Sequence, residues 1–483
     1  MAEVKQYSRK KKFIKDFGIY SIGVLGNRLI TVFLIPFYTY FVEKTGEFGI
    51  YDLSLNISYL LLPLITLQMR DGMFRFLLDT KEKKDRQSII TFGFTTVAIV
   101  SSITILFAVI LNLIANIPYL FYTTALVISM SIAEVTIQTA RGLGYNKQFV
   151  AQGLLTTFCI AVFSVIFVAV LKMNAAGIFL ANIFARVVAI TFTFIRIKLI
   201  SNFINFRCNF KKYSKTILNY TIPLIPTTML LWLTTSCDRL FIRYFFGIEM
   251  NGIYAVAARL SGFITTLSII FYQTWQENAI QQFHSKDRDR YFSSIFNNYL
   301  FVLATILIIY TFVLKQCYWI LGASYQDSVS LVYLSGTATL LYAIAAYFEL
   351  PYQCSKDTKR AIPSVILSAV LNIIFNLILD RWIGIFGVII SNILSYASLI
   401  IYRYFDTRRY FTLKIDPKSI VPITIIIIGI FIYQLSDNIF TNLLYMVCAA
   451  MVLAFSAPAE TKSLFKNRLN AVLKKTRHTY NNK

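Results

Sequence analysis

Runs of about twenty apolar residues, separated by short polar stretches, recur along the whole chain. At 1.5 Å per residue such a run crosses ~30 Å of hydrocarbon. Backbone polar groups inside lipid must find partners within their own segment, so these runs are read as helices. The pattern predicts spans near 14–38, 49–69, 88–112, 118–140, 148–171, 175–196, 215–242, 252–280, 292–314, 328–352, 361–379, 384–402, 419–434 and 438–456. The expected fold is an all-α polytopic membrane protein of about 14 transmembrane helices.

Composition agrees with that reading. The 483 residues are 57% hydrophobic and 14% charged, with a mean hydropathy of +0.62. Soluble domains carry about 25% charged residues. The net charge of +24 would suit nucleic acid, but no groove-reading or base-stacking motif accompanies it. Lysine and arginine placement explains it better. With the N-terminus inside, the inner segments hold 38 of the 47 Lys and Arg, and the outer ones hold only Lys44, Lys172, Arg243, Lys315 and Arg381. This asymmetry puts both termini on the cytoplasmic side. The basic start, residues 1–13, runs into a long helix without a cleavage-site pattern and reads as a cytoplasmic anchor. Six scattered cysteines and two histidines give neither a disulfide framework nor a zinc site.

The chain also repeats itself. Gly49-Ile50-Tyr51 opens the second span and Gly252-Ile253-Tyr254 opens the eighth. The sixth span carries Gly177 and Asn182 in a G-x-x-x-x-N spacing that Gly387 and Asn392 reproduce in the twelfth. Similar offsets suggest two parallel six-helix bundles, residues 1–200 and 201–410, followed by two appended helices and a basic cytoplasmic tail in 411–483. Parallel repeats are one transporter plan, with the substrate between the halves and alternating access by rocking.

The stretch Gly46-Glu47-Phe48-Gly49-Ile50-Tyr51-Asp52-Leu53, the segment from Leu64 to Phe76 that closes the second span, and the two G-x-x-x-x-N helices carry a family likeness. The chain resembles polysaccharide (O-antigen-type) flippases of the multidrug/oligosaccharidyl-lipid/polysaccharide exporter superfamily, in layout over roughly residues 10–460. That resemblance implies a transporter rather than an enzyme. It implies an undecaprenyl-diphosphate-linked oligosaccharide repeat unit moved from the inner to the outer leaflet of a bacterial cytoplasmic membrane. It further implies a V-shaped cavity lined by spans 1, 2, 7 and 8. The expected partners are this substrate, membrane lipids and other glycan-assembly membrane proteins. Nucleic acid is not among them.

Ionisable side chains inside spans cost at least ~2.5–3.5 kcal/mol at the bilayer centre and mark pathways. Arg28 and Arg259 lie in the outer halves of spans 1 and 8 and are the candidates for a diphosphate, since guanidinium forks match phosphate oxygens. Flippases of the lipid II type are similar in carrying arginines on these two helices, but commonly add one on helix 2, where this chain has none. Arg70, Arg75 and Arg141 stand at cytoplasmic span ends, where an anionic headgroup would enter, although topology alone also accounts for them. Asp238 ends span 7 with Thr227, Thr234 and Thr235 on its side. Span 11 presents Ser364, Ser368, Asn372, Asn376 and Asp380, every fourth residue and hence one polar stripe. Asp238, Asn372, Asn376 and Asp380, with Asn392, form a candidate Na⁺ site, which the Na⁺-coupled relatives also place between helices 7, 11 and 12. Interhelical hydrogen bonding is the competing reading. No cofactor is expected beyond Na⁺ or H⁺ coupling. Arg186 and Glu134 are expected to pair within the first half.

A cation-coupled multidrug exporter of the same superfamily is the alternative function. Cationic drugs favour acidic cavities, and twelve helices usually suffice there. Short outer loops leave no room for the catalytic domain of a membrane glycosyltransferase or polymerase.

Overall fold

A computed structural model describes residues 30–199 apart from 32, residues 210–417 apart from 356, and scattered positions between 419 and 452. Helical residues 33–41 form α1. They are followed by α2 (Thr45–Thr66), α3 (Met69–Asp79), α4 (Lys83–Ala115), α5 (Leu120–Gly142), α6 (Asn146–Ser164) and α7 (Asn174–Arg196). Then come α8 (Phe210–Thr221), α9 (Leu224–Ser236), α10 (Asp238–Gln282) and α11 (Arg288–Cys317). The remaining helices are α12 (Ser328–Tyr347), α13 (Leu350–Cys354), α14 (Ile362–Ile383) and α15 (Ile385–Thr407). The protein is all-α, and ten of its described segments are long and apolar enough to span a membrane.

These ten coincide with expected spans 2–6 and 8–12. The first expected span is described only from residue 30, and the last two fall at the scattered positions or outside the described residues. The seventh differs. Instead of one helix over 215–242 there are α8, α9 and the start of α10, broken at Ile222–Pro223 and again at Cys237. Proline lacks an N–H and its ring collides with the carbonyl four residues back, so an interior Pro223 interrupts the ladder. The expected inner loop 70–86 likewise holds a helix, α3, whose Met69, Met73 and Leu77 are fully buried against Ile89, Ile90, Val135 and Ala140. Their i, i+4, i+8 spacing is an apolar helical stripe that a count of long hydrophobic runs overlooks.

Helix α14 shows what solvent the fold is built for. Its polar stripe, Ser364, Ser368, Asn372 and Asn376, is fully buried, while Ile366, Val370, Ile374 and Leu377 are exposed. This inverts a soluble amphipathic helix and fits a lipid surround, in which apolar side chains face outward and polar ones face protein. α4 exposes Ile99, Ile103, Leu106, Leu113 and Ile114 in the same way. The chain is a multi-pass membrane protein.

Contacts gather it into two compact units, Met1–Leu260 with Ile320–Gln326, and Ser261–Trp319 with Asp327–Lys483. Contact places the first part of α10 with α2, whereas the two-bundle division at residues 200–201 rests on the sequence repeat. Within the first unit, α10 is two helical stretches joined at Gly247, whose φ of 88° and ψ of 178° suit glycine alone. The single-residue turn replaces the longer outer loop expected between spans 7 and 8. Gly247→Ala is expected to destabilise the protein by about 1–3 kcal/mol, the strain of forcing a Cβ into that region. Thermal melting of the purified protein in detergent checks it, and an unchanged midpoint would contradict it.

In the second unit the segment after α15 lies extended along α11. The backbone N–H groups of Thr412, Lys414 and Asp416 donate to Asp289 Oδ2, Ser293 Oγ and Asn297 Oδ1 at 3.1, 2.9 and 3.0 Å. Every second residue of an extended chain advances ~6.6 Å, and every fourth residue of a helix ~6 Å, so the two ladders run in step. Phe411 and Leu413, on the intervening positions, are buried. Asn297 also donates to Lys414 O at 3.2 Å. Asn297→Ala removes both contacts, and hydrogen exchange at Asp416 is expected to quicken roughly tenfold, as for the loss of about 1.4 kcal/mol of local protection.

Candidate functional site

The first unit holds a buried charge cluster on α2 and α10. Gly49 opens it, because its position lets the two helices cross at backbone contact. A Cβ on Gly49 would stand 2.1 Å from Ile248 O, and one on Gly252 would stand 2.0 Å from Thr45 O. The contact is reciprocal, each glycine meeting the carbonyl four residues before the other. Asn251 Nδ2 adds a bond to Gly49 O at 2.9 Å.

One turn beyond the crossing stands Asp52, 3% exposed. It accepts from Arg259 Nη2 at 3.0 Å, Arg239 Nε at 3.5 Å and Asn56 Nδ2 at 3.2 Å. Arg259 lies over the Phe48 ring at 4.6 Å and the Tyr51 ring at 5.4 Å, and Arg239 over Tyr254 at 5.1 Å. Such stacking holds a guanidinium flat and partly desolvated while leaving N–H groups at its edge. Tyr254 in turn donates to Asp238 Oδ2 at 2.8 Å, and Arg239 Nη1 lies 4.0 Å from that oxygen. Two guanidinium groups and two carboxylates thus meet in one buried polar cluster, with Trp232 donating to Asn56 O at 2.9 Å nearby. Arg259 was expected to stand ready for phosphate; here Asp52 occupies it.

In the second unit the α14 stripe packs on α15. Asn372 Nδ2 donates to Asn392 Oδ1 at 2.9 Å, and Asn376 Nδ2 to Asn372 O at 2.7 Å. Ser368 donates to Ser395 O at 3.0 Å. Asp380 is 2% exposed at the end of this stripe. Asn372, Asn376 and Asn392 of the candidate cation ligands are therefore joined by hydrogen bonds, Asp380 is buried further along the same stripe, and Asp238 belongs to the first unit's cluster. The same α15 carries Arg403, buried and donating to Ser364 Oγ and Ala345 O at 3.1 and 3.0 Å.

The family model described as polysaccharide biosynthesis protein matches residues 13–276, just over half of the chain and all of this cluster. The chain belongs to that family. Among solved structures, the lipid II flippase MurJ in an inward closed conformation is similar at a TM-score of 0.66 and 12% identity, covering 93% of this chain and 99% of that one. An inward-facing multidrug resistance MATE family transporter of the MOP superfamily gives 0.61 and 13%, covering 81% and 98%. A MATE transporter from Vibrio cholerae gives 0.52 and 13%, covering 83% and 98%. At these identities the likeness is one of fold. No curated protein sequence matches the chain at a significant level.

In this polysaccharide biosynthesis family member the other expected residues lie as follows. Arg28 is outside the described residues, as are the side chains of Thr227, Thr234 and Thr235. Arg70 pairs with Asp71 at 3.4 Å and Glu134 at 3.7 Å. The expected Arg186–Glu134 pair is therefore replaced, with Arg186 donating to Asn182 O and Oδ1 at 2.9 and 3.1 Å. Arg75 pairs with Asp79 at 3.3 Å on an exposed helix face. Arg141 stacks on Phe74 at 4.4 Å and Phe149 at 5.4 Å. Asp52 and Arg239 are the two members of the cluster that sequence reasoning did not single out. The burial-cost argument that marks Arg259 applies to both, and Asp52 falls one turn after Gly49 in the second span.

Proposed function

We propose that the protein flips undecaprenyl-diphosphate-linked oligosaccharide repeat units from the inner to the outer leaflet of a bacterial cytoplasmic membrane by alternating access, with both termini cytoplasmic. The observation that carries this reading is the pair Arg239 and Arg259, both drawn to Asp52 within the α2–α10 crossing. A diphosphate offers several oxygens to two guanidinium forks that otherwise share that carboxylate. Parting of the two helices breaks the pairs to Asp52, and anionic substrate compensates the freed cations. Two negative charges moving outward down an inside-negative potential release roughly 4.6 kcal/mol per 100 mV, from ~2.3 per charge. A cation bound at Asp238, or at Asn372, Asn376, Asp380 and Asn392, would bias the return step. The carboxylates Asp52 and Asp238 also give the multidrug reading some support, since an organic cation would bind them once the arginines withdraw.

Purified protein in proteoliposomes separates the two. Given a fluorescent undecaprenyl-diphosphate oligosaccharide in one leaflet, the protein is expected to equilibrate it at least tenfold faster than protein-free liposomes. Transport of ethidium with no movement of the lipid-linked glycan would overturn the proposal.

A further inference from the structure

The first unit contains a second feature, remote in character from the charge cluster. An apolar slot of about 440 Å³ lies between α2, α4 and α5, within the size range of ligand pockets. Each helix gives it a single face. From α2 come Ile50, Leu53, Ile57 and Leu61; α4 supplies Thr104, Phe107 and Leu111. Leu120, Thr124 and Val127 complete it from α5. Positions spaced i, i+3 or i+4, i+7 along a helix run parallel to its axis, so the slot extends for about 10–16 Å along the helices. Its threonines add no free polar groups: Thr104, Thr123 and Thr124 return their hydroxyls to the carbonyls of Val100, Tyr119 and Leu120 at 2.8, 3.0 and 2.9 Å. Ser54 adds a hydroxyl to the lining, and along the rest of its length the slot is a hydrocarbon-lined groove parallel to the helices.

Among the described residues, one charged side chain lines it. Arg243 stands with Ile248 at the end where α2 begins and α4 ends, beside Ile117 and Pro118. Among the described residues no carboxylate pairs with it, and its side chain is exposed. It is one of only five lysines and arginines in the segments that the charge asymmetry places outside. The neighbouring Tyr244 is 79% exposed, an aromatic of the kind enriched at headgroup depth.

We infer that this slot binds an anionic phospholipid of the leaflet bordering that end, one acyl chain lying in the groove and the headgroup phosphate on Arg243. A cation at headgroup depth attracts anionic lipid, and the groove beneath it holds a chain that the bulk bilayer would otherwise surround. The site is independent of the glycan reading, because it uses none of the residues that bind the substrate there.

Purified full-length protein in phosphatidylcholine nanodiscs doped with dioleoylphosphatidylglycerol tests it, with the retained lipid counted by native mass spectrometry after detergent release. The wild type is expected to retain phosphatidylglycerol at least fivefold over its share of the disc. Arg243→Gln is expected to erase the preference while keeping phosphatidylcholine bound. Leu53→Trp, which fills the groove, is expected to reduce retention of both lipids. Melting curves of both variants ensure that folded proteins are compared. Equal retention of the two lipids by the wild type would mean only bulk surrounding lipid and would overturn the inference. So would Arg243→Gln with wild-type selectivity. Full displacement by inorganic phosphate, with Leu53→Trp behaving as wild type, would leave a simple anion site and remove the chain-binding groove.

Discussion

Arg259→Gln is expected to lower the melting temperature of the purified protein and, on the proposed flippase reading, to stop glycan export. The substitution leaves Asp52, 3% exposed, with Arg239 at 3.5 Å as its remaining cation. Removing one partner of a buried pair costs about 3–5 kcal/mol, since the other charge stays desolvated. Asp52→Asn makes the opposite error, leaving two stacked guanidinium groups around a neutral amide. It is expected to lose comparable stability and to close less firmly, so that export falls less than with Arg259→Gln. The double variant Asp52→Asn/Arg259→Gln decides between the two roles of the arginine. With that pair removed, one cation and one carboxylate remain, Arg239 facing Asp238 at 4.0 Å, so the cluster balances again and the melting temperature is expected to recover most of the loss. On the proposed flippase reading, export, read as glycan at the cell surface, is expected to stay absent because Arg259 would be missing as the phosphate ligand. Full export by the double variant would show that Arg259 serves structure alone.

Gly49→Ala and Gly252→Ala are expected to be nearly as damaging, for a steric reason. The added methyl would stand 2.1 Å from Ile248 O or 2.0 Å from Thr45 O, and both obstacles are backbone. No side-chain rotation relieves such a contact, so the helices themselves must separate. Overpacking of this kind costs typically about 1–3 kcal/mol, and here it also pulls Asp52 from Arg259 one turn away. Both variants are expected to melt earlier. They are also expected to make Cys at position 56, introduced as Asn56→Cys, several-fold more reactive toward a water-soluble maleimide. Wild-type reactivity together with a wild-type melting curve would mean that α2 and α10 do not meet here in the membrane.

Much of the architecture is readable from hydrophobic run length, because lipid permits little besides helices. The all-helical membrane fold and ten of the spans follow from it. The places where it fails have local causes. Pro223 breaks an apolar run that otherwise looks continuous, and Gly247 turns the chain within a single residue where a loop was expected. Met69, Met73 and Leu77 belong to a short helix whose apolar stripe is too narrow to register as a run. At the site, Arg259 is legible since a cation in a span is costly and conspicuous. Its partner Asp52 is equally costly, but it falls three residues after the start of the second expected span, where a carboxylate looks like the end of a loop. The stacking of Arg259 on Phe48 and of Arg239 on Tyr254 is not legible at all, because it depends on how two helices some 200 residues apart in the chain rotate about the crossing. The polar stripe of α14 is legible as a stripe, and only packing reveals that Asn372 spends its amide on Asn392.

The glycine crossing has a symmetry of its own. Gly49 meets the carbonyl of Ile248, Gly252 meets that of Thr45, and the two pairs are interchanged by a half-turn about a local axis. That is the geometry of an isologous interface, here made between two segments of one chain rather than two subunits. In such an interface a single defect opens both sides at once. The effects of Gly49→Ala and Gly252→Ala should consequently fall far short of adding in the double variant, because the first substitution already makes the room that the second needs. Asp52 breaks that symmetry: its counterpart on α10 is Ala255, so the carboxylate paired with Arg259 has no twin across the crossing.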